Sequence, residues 1–215
     1  MARDFIENPR IDISNVYNIS RFSYIMIEFI YFSQKARTSG NWQDPMKAGR
    51  MDIVFNVVIA SLFLSHKIRE NVHLHLIFNG PPNPPMHLEF ISNKDMPVSK
   101  KDIAGLIKRM LYKYKEGRKT EVFPGCFIEK KSFSKVIEEL ENKGKKIYIL
   151  DKKGRFIREL DDKDLENVVF VLGDHEGLPK KELKKFKERV SIGKETYFAS
   201  HTMVIVHNEL DVRGL

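Results

Sequence analysis

The chain is predicted to be an α/β domain built on a mainly parallel sheet flanked by helices, and three observations predict it. Runs rich in β-branched and aromatic residues alternate along the 215 residues with segments whose apolar positions recur at helical spacing. Turns bearing glycine and proline separate the runs. No internal repeat, low-complexity tract or Pro/Ser-rich linker interrupts the alternation, so residues 1–215 are read as one domain.

Arg21–Phe32 (RFSYIMIEFIYF) reads as a first buried strand, followed by a basic loop, Ser33–Gly49. A helix is predicted from Arg50 to about Lys67, because Ile53, Val57, Ala60, Leu64 and Ile68 share one stripe that Val54 and Val58 widen. Val72–Phe78 is a second strand, stopped at Asn79-Gly80-Pro81-Pro82, and Met86–Ile91 is placed as its hairpin partner. Ser99 is expected to cap a helix whose buried face carries Ile103, Leu106, Ile107, Met110, Leu111 and Tyr114. A shorter helix holds Phe133, Val136, Ile137 and Leu140 and ends at Gly144. Lys146–Leu150 and Asn167–Leu172 are strands, Pro179–Arg189 a short and very basic helix, and Ser200–Asp211 a closing helix. Met203, Val204, Ile205, Val206 and Leu210 cover more than one face of that last helix, which predicts burial on more than one side.

Composition narrows the function. Hydrophobic residues at 42% are too many for a disordered chain. The apolar stretch Ile53–Leu64 is broken by Asn56 and Ser61 and is too short to span a bilayer. The first residues carry no export signal, so a cytoplasmic location is expected, with no membrane partner. A single cysteine, Cys126, excludes an internal disulfide and a cysteine-based zinc site. A net charge of +8 lowers the cost of approaching phosphate, although a solvated Lys/Glu surface is the competing account.

The most informative segment joins strand to helix, Val171-Leu172-Gly173-Asp174-His175-Glu176-Gly177-Leu178-Pro179. Two glycines after a buried strand let a ligand approach the backbone, and loops at the carboxyl ends of strands are where α/β sheets bind ligands. The segment is neither G-x-G-x-x-G nor a Walker loop. His175-Glu176 lacks the second histidine of H-E-x-x-H, and no serine sits in G-x-S-x-G. A nucleoside ligand such as S-adenosylmethionine (SAM) fits this pattern better than one held by a phosphate cradle.

Phe170–Pro179 (FVLGDHEGLP) resembles the cofactor loop of SPOUT methyltransferases, and Ser191-Ile192-Gly193 with Thr196–His201 resembles their last loop and closing helix. The N-terminal motifs Ala36–Gly40, Ala48–Asp52, Ser65-His66-x-x-Arg69 and Gly80–Pro85 resemble the archaeal tRNA pseudouridine-54 N1-methyltransferases, the TrmY family. The resemblance covers nearly the whole chain. It implies a SPOUT fold with a C-terminal deep trefoil knot over about residues 146–211, SAM as cofactor, tRNA as partner and a homodimer without metal. It also implies a cofactor set of Leu150, Leu172, Gly173, Gly177, Ser191, Ile192, Gly193, Thr196, Tyr197, Phe198, Ala199 and Thr202. The sister branch acting on small-subunit rRNA, and a non-catalytic RNA-binding protein of the same fold, are the competing expectations.

Pseudouridine offers N1 as a free N–H, so methylation there requires positioning, loss of a proton and stabilisation of charge on the ring. Asp52, Asp174 and Glu176 are the candidate catalytic carboxylates, although Asp52 also suits a helix start as a favourable charge. Arg37, Arg50, Arg69, Lys180 and Lys181 are the candidate RNA contacts. The resemblance places a cysteine of some relatives near Thr202, and a threonine here argues against a cysteine nucleophile. His73 and His75 face one side of a strand, and with no acidic or thiol partner nearby in sequence they are read as structural or surface residues rather than metal ligands.

Overall fold

The computed structural model describes residues 26–96 and 102–215. In chain order the elements are β1 (Ile27–Ser33), α1 (Met51–Leu62), β2 (Val72–Phe78), β3 (Met86–Ile91), α2 (Ile103–Tyr112), β4 (Thr120–Phe123), β5 (Cys126–Glu129), α3 (Phe133–Asn142), β6 (Lys146–Phe156), α4 (Asp162–Leu165), β7 (Val168–Gly173), α5 (Lys180–Leu183), β8 (Arg189–Ser191) and α6 (Ala199–Arg213). Residues 21–25 of the predicted first strand and the predicted cap Ser99 lie outside the described residues.

Every residue of β1 is buried, as expected of a strand covered on both faces. It pairs in parallel with β2 on one side and β7 on the other. Beyond β7, β6 and β8 continue in parallel, while β3, β5 and β4 extend the opposite edge antiparallel. The sheet order is β4-β5-β3-β2-β1-β7-β6-β8. Alternation along the strands sorts the core into two layers. Phe29, Tyr31, Leu74, Leu76 and Phe170 pack with α1, α2 and α6. Ile30, Phe32, Ile77, Val169 and Val171 pack with Phe133, Val136, Ile137 and Leu140 of α3.

Several boundaries differ from expectation. α1 stops at Leu62 rather than Lys67, because Leu64 N–H donates to the Lys67 carbonyl and Arg69 N–H to the Leu62 carbonyl, closing a tight reversal. Leu64 and Ile68 therefore belong to a turn. The basic helix predicted over 179–189 is a single turn, α5. Lys180 with Lys184 and Lys181 with Lys185 repel at helical spacing, and the chain is extended again from Arg189. β6 runs on from Leu150 to Phe156 through a register shift between Leu150 and Arg155. There a Cβ on Gly154 would stand 2.5 Å from the Arg189 carbonyl carbon. β4, β5 and β8 were not anticipated, since four or three residues are too few for a period to register.

α6 buries Thr202, Met203, Val206, His207, Glu209 and Leu210, chiefly against α1, and ends at Gly214 in the left-handed region. Within the chain it is covered on one side, since Val204 and Val212 are 52% and 77% exposed. No helix among the described residues is long and apolar enough to cross a membrane.

Candidate functional site

A cavity of about 840 Å³ opens at the carboxyl end of β7, beside Ile149–Lys152 in the middle of β6 and the segment between β8 and α6. Of the twelve residues predicted to hold a cofactor, eleven form its wall: Leu150, Leu172, Gly173, Gly177, Ile192, Gly193, Thr196, Tyr197, Phe198, Ala199 and Thr202. Ser191 stands behind the wall. Its hydroxyl donates to the Gly193 carbonyl at 2.8 Å and accepts the Gly193 N–H at 3.1 Å, which fixes the turn. Gly173 has no room for a side chain, because a Cβ would lie 2.5 Å from the carbonyl carbon of Gly177. The loop folds back on its own strand end, closed by Gly177 N–H donating to the Asp174 carbonyl at 2.8 Å. Asp151, Lys152, His175, Glu195 and His201 also line the cavity and were not predicted as site residues, although His175 and His201 lie inside motifs named above and Glu195 adjoins one.

Asp174 is buried and spans two loops. Its Oδ2 accepts Ser33 Oγ–H at 2.8 Å and Gln34 N–H at 3.1 Å, while Oδ1 accepts Glu176 N–H at 2.9 Å. It joins the end of β1 to the β7 loop. Glu176 is on the cavity wall, and its Oε1 meets the Lys35 ammonium. That pair is too exposed to add much stability. It raises the Lys35 pKa, first through the hydrogen bond.

Three of the four N-terminal motifs, Ala36–Gly40, Ala48–Asp52 and Gly80–Pro85, converge on one another. A Cβ on Gly49, whose φ is +74°, would lie 1.7 Å from the Lys35 carbonyl oxygen, and one on Gly80 would lie 2.2 Å from the same atom. Arg37 N–H donates to the Ala48 carbonyl, Gly80 N–H to the Ala36 carbonyl, and Thr38 N–H to the Pro81 carbonyl. Thr38 Oγ1 donates to the Gly80 carbonyl and accepts the Asn83 N–H. The loop after β1 is thereby fastened on both sides, and with it Lys35 and Arg37.

Arg50, at the left-handed position before α1, lines the cavity. Its Nε and Nη2 donate to Asp52 Oδ1 and Oδ2 at 3.0 and 2.9 Å. The Arg50 guanidinium holds the Asp52 carboxyl below its ordinary range, and Asp52 itself is not on the wall. Arg37 is half-buried away from the wall, and among the described residues its buried Nε has no hydrogen-bond partner. Arg69 is also off the wall, gripped by Asp211 of α6 at 2.8 and 2.5 Å. Lys180 and Lys181 are exposed on α5, directly after the cavity loop. Cys126 is buried, and burial pushes its thiol up to about 12, so it is inert.

The structure corrects the ground on which His73 and His75 were set aside. Acidic partners that sequence proximity did not supply arrive from neighbouring strands: Glu28 of β1 and Glu89 of β3. Glu28, His73 and His75 present ligand atoms within 4.8 Å of one another.

Residues 26–215 match a family profile described as "Putative SAM-dependent RNA methyltransferase". The chain is 37% identical to a tRNA (pseudouridine(54)-N(1))-methyltransferase of Methanococcus aeolicus, over 86% of this chain and 98% of the relative. It is 33% identical to the Methanocaldococcus jannaschii protein of the same name, over 88% and 98%. The fold is shared with Archaeoglobus fulgidus Nep1 bound to S-adenosylhomocysteine, at a TM-score of 0.60 and 16% identity over 88% of this chain and 99% of that one.

Proposed function

The chain belongs to the family of SAM-dependent RNA methyltransferases, and from that membership we propose that it methylates N1 of pseudouridine at position 54 of tRNA. One observation carries the reading. The C-terminal loop residues and Arg50 of the N-terminal motifs, set 100 residues apart, line one cavity at the carboxyl end of the sheet.

The residues present fit SAM. Gly173 lets the loop pack back on its own strand end, which any side chain there would prevent, and apolar Leu150, Leu172 and Ile192 line the cavity. When bound, SAM supplies an electrophilic methyl group carried on sulfonium. The cavity carboxylates complement that positive charge.

The carboxylates divide the work. Both Asp174 oxygens are engaged in bracing two loops, so it is a positioning residue. Both Asp52 oxygens are engaged in aiming the Arg50 guanidinium, whose charge also makes Asp52 a weaker base. Glu176 is on the wall with Lys35 at only one of its oxygens, and we assign it the N1 proton. Arg50 faces the target base, and Lys35, Lys180 and Lys181 meet the RNA backbone.

The segments that begin at Leu150, Leu172 and Ser191 are taken to form the deep trefoil knot of the SPOUT fold. The exposed Val204 and Val212 of α6, with Phe198 72% exposed at its start, are taken to be covered by a second copy in a homodimer. The enzyme is assigned to the cytoplasm, where its substrate is made.

The test is transfer of tritiated methyl from SAM to a tRNA T-arm stem-loop bearing pseudouridine at position 54, beside a uridine control and a pseudouridine-bearing rRNA hairpin. Label in the first alone supports the proposal. Label in the rRNA hairpin alone moves the activity to ribosomal RNA, and label in none leaves an RNA-binding protein.

A further inference from the structure

On the sheet face opposite α1 and α6, a polar network crosses β1, β2, β3 and β5. Register puts it there: Glu28 of β1 pairs with His73 of β2, His75 of β2 with Glu89 of β3, and His87 of β3 with Glu129 of β5. Glu28, His75, His87 and Glu89 are buried, and His73 is nearly so. His73 Nδ1 and His75 Nε2 each stand 3.1 Å from the same oxygen, Glu28 Oε1. The outer nitrogens are both anchored. His73 Nε2 lies 2.7 Å from Glu89 Oε1, and His75 Nδ1 lies 2.9 Å from His87 Nε2, whose own Nδ1 lies 3.1 Å from Glu129 Oε1.

This network is short of protons. Each of its five contacts (Glu28–His73, His73–Glu89, Glu28–His75, His75–His87 and His87–Glu129) needs one hydrogen between two acceptors. Three neutral imidazoles carry three. One further proton still leaves one contact with lone pair facing lone pair. A cation in place of the two hydrogens at Glu28 closes the count. It would take the inner nitrogens of His73 and His75 and a Glu28 oxygen, and the three N–H groups then serve Glu89, His87 and Glu129.

We propose that Glu28, His73 and His75 form a binding site for one divalent transition-metal ion, best suited to Zn²⁺. The 3.1 Å separations are close to the edge of about 3.3 Å expected of a tetrahedron with bonds near 2.0–2.1 Å. The Glu89 carboxylate behind His73, and the His87–Glu129 pair behind His75, are the outer partners that fix the tautomer of ligating histidines. Two imidazoles and a carboxylate suit Zn²⁺, Co²⁺ or Ni²⁺ and disfavour Mg²⁺ or Ca²⁺. Lys145 Nζ, 3.0 Å from Glu28 Oε2, balances the outer carboxylate oxygen. A water molecule completes the tetrahedron. Glu28 pairs with Val169, four residues or roughly 13 Å along β7 from Gly173, so the ion ties β1 to β2 and takes no part in methyl transfer.

The test takes EDTA-dialysed full-length protein and reads Zn²⁺ uptake by calorimetry, the tetrahedral absorption bands of added Co²⁺, and the melting temperature. The expected result is one ion per chain, with proton release, tetrahedral Co²⁺ bands and a melting temperature raised by several degrees. His73→Asn and His75→Asn each abolish uptake, whereas His87→Asn, which disturbs the network without removing a ligand, retains it. Absence of uptake and of Co²⁺ bands in folded wild-type protein overturns the site. Uptake that survives both ligand substitutions places the ion elsewhere and overturns it too. If the histidine variants do not fold, the Co²⁺ spectrum of the wild type decides.

Discussion

At the residue scale the cavity depends on two side chains, one absent and one only partly engaged. Gly173 must lack a Cβ because the Gly177 peptide occupies its place at 2.5 Å. Gly173→Ala is therefore expected to push the loop off the cavity, lowering SAM affinity at least about tenfold while the chain stays folded; calorimetry with SAM, with circular dichroism as the control, checks this. Glu176 differs from Asp52 and Asp174 in having an oxygen outside the contacts that hold the site together. Glu176→Gln is expected to reduce kcat by about 100-fold and leave SAM affinity nearly unchanged, as removal of a general base does. Loss of affinity with kcat preserved would instead make Glu176 a binding residue. Residue chemistry was legible in part. FVLGDHEGLP identified the loop because a glycine-bearing strand end is a local property. That Asp174 would brace β1 was not legible, since Ser33 lies 141 positions away.

Elements decide what the charge is for. α5 is one turn carrying Lys180 and Lys181, both exposed, and it follows directly on the cavity loop. Replacing both with alanine is expected to weaken binding to any RNA and to reduce the slope of log K against log salt by about 1.4 to 1.8, two phosphate contacts' worth. A filter-binding titration at four salt concentrations measures the slope, and an unchanged one would make α5 a solvated surface. The helix periods of α2 and α3 were readable because their apolar stripes exceed two turns. The end of α1 was not, because Leu64 and Ile68 keep the helical spacing while the backbone has already reversed. Apolar spacing reports which positions are buried, not which backbone buries them.

At the scale of the whole molecule, α6 joins the site to stability and assembly. His207 packs its ring edge-on to Phe29, 5.0 Å between centroids, and its Nε2–H donates to the Ser61 carbonyl at 3.0 Å. Burial pushes its pKa down to about 3, from 6.5. Between those values the unfolded chain binds a proton that the folded chain refuses. Stability is thus complete above pH 6.5 and falls as pH drops toward 3, by at most about 1.4 kcal/mol per pH unit. Thermal melts from pH 7 to 4 are expected to show a shallower acid decline for His207→Leu than for wild type, and equal slopes would mean that His207 is not the group refusing the proton. The outer face of α6 makes a second prediction. With Val212 77% exposed, Val212→Lys is expected to shift the protein from dimer to monomer in sedimentation velocity, and a monomeric wild type would sink the homodimer.

What the sequence by itself determined rests on neighbours along the chain: the periods of most strands and helices, the loop that needs glycine, and the basic charge. Only the tertiary structure decided what rests on register. It paired β4, β5 and β8, brought the Gly49 and Gly80 turns onto Lys35, left one side of α6 uncovered, and set Glu28 and Glu89 against histidines that had no acidic neighbour in sequence. The physical reason is range. Backbone preference acts over a few residues, whereas a hydrogen bond or ion pair is selected by which strand edges meet, and that choice belongs to the packed sheet as a whole.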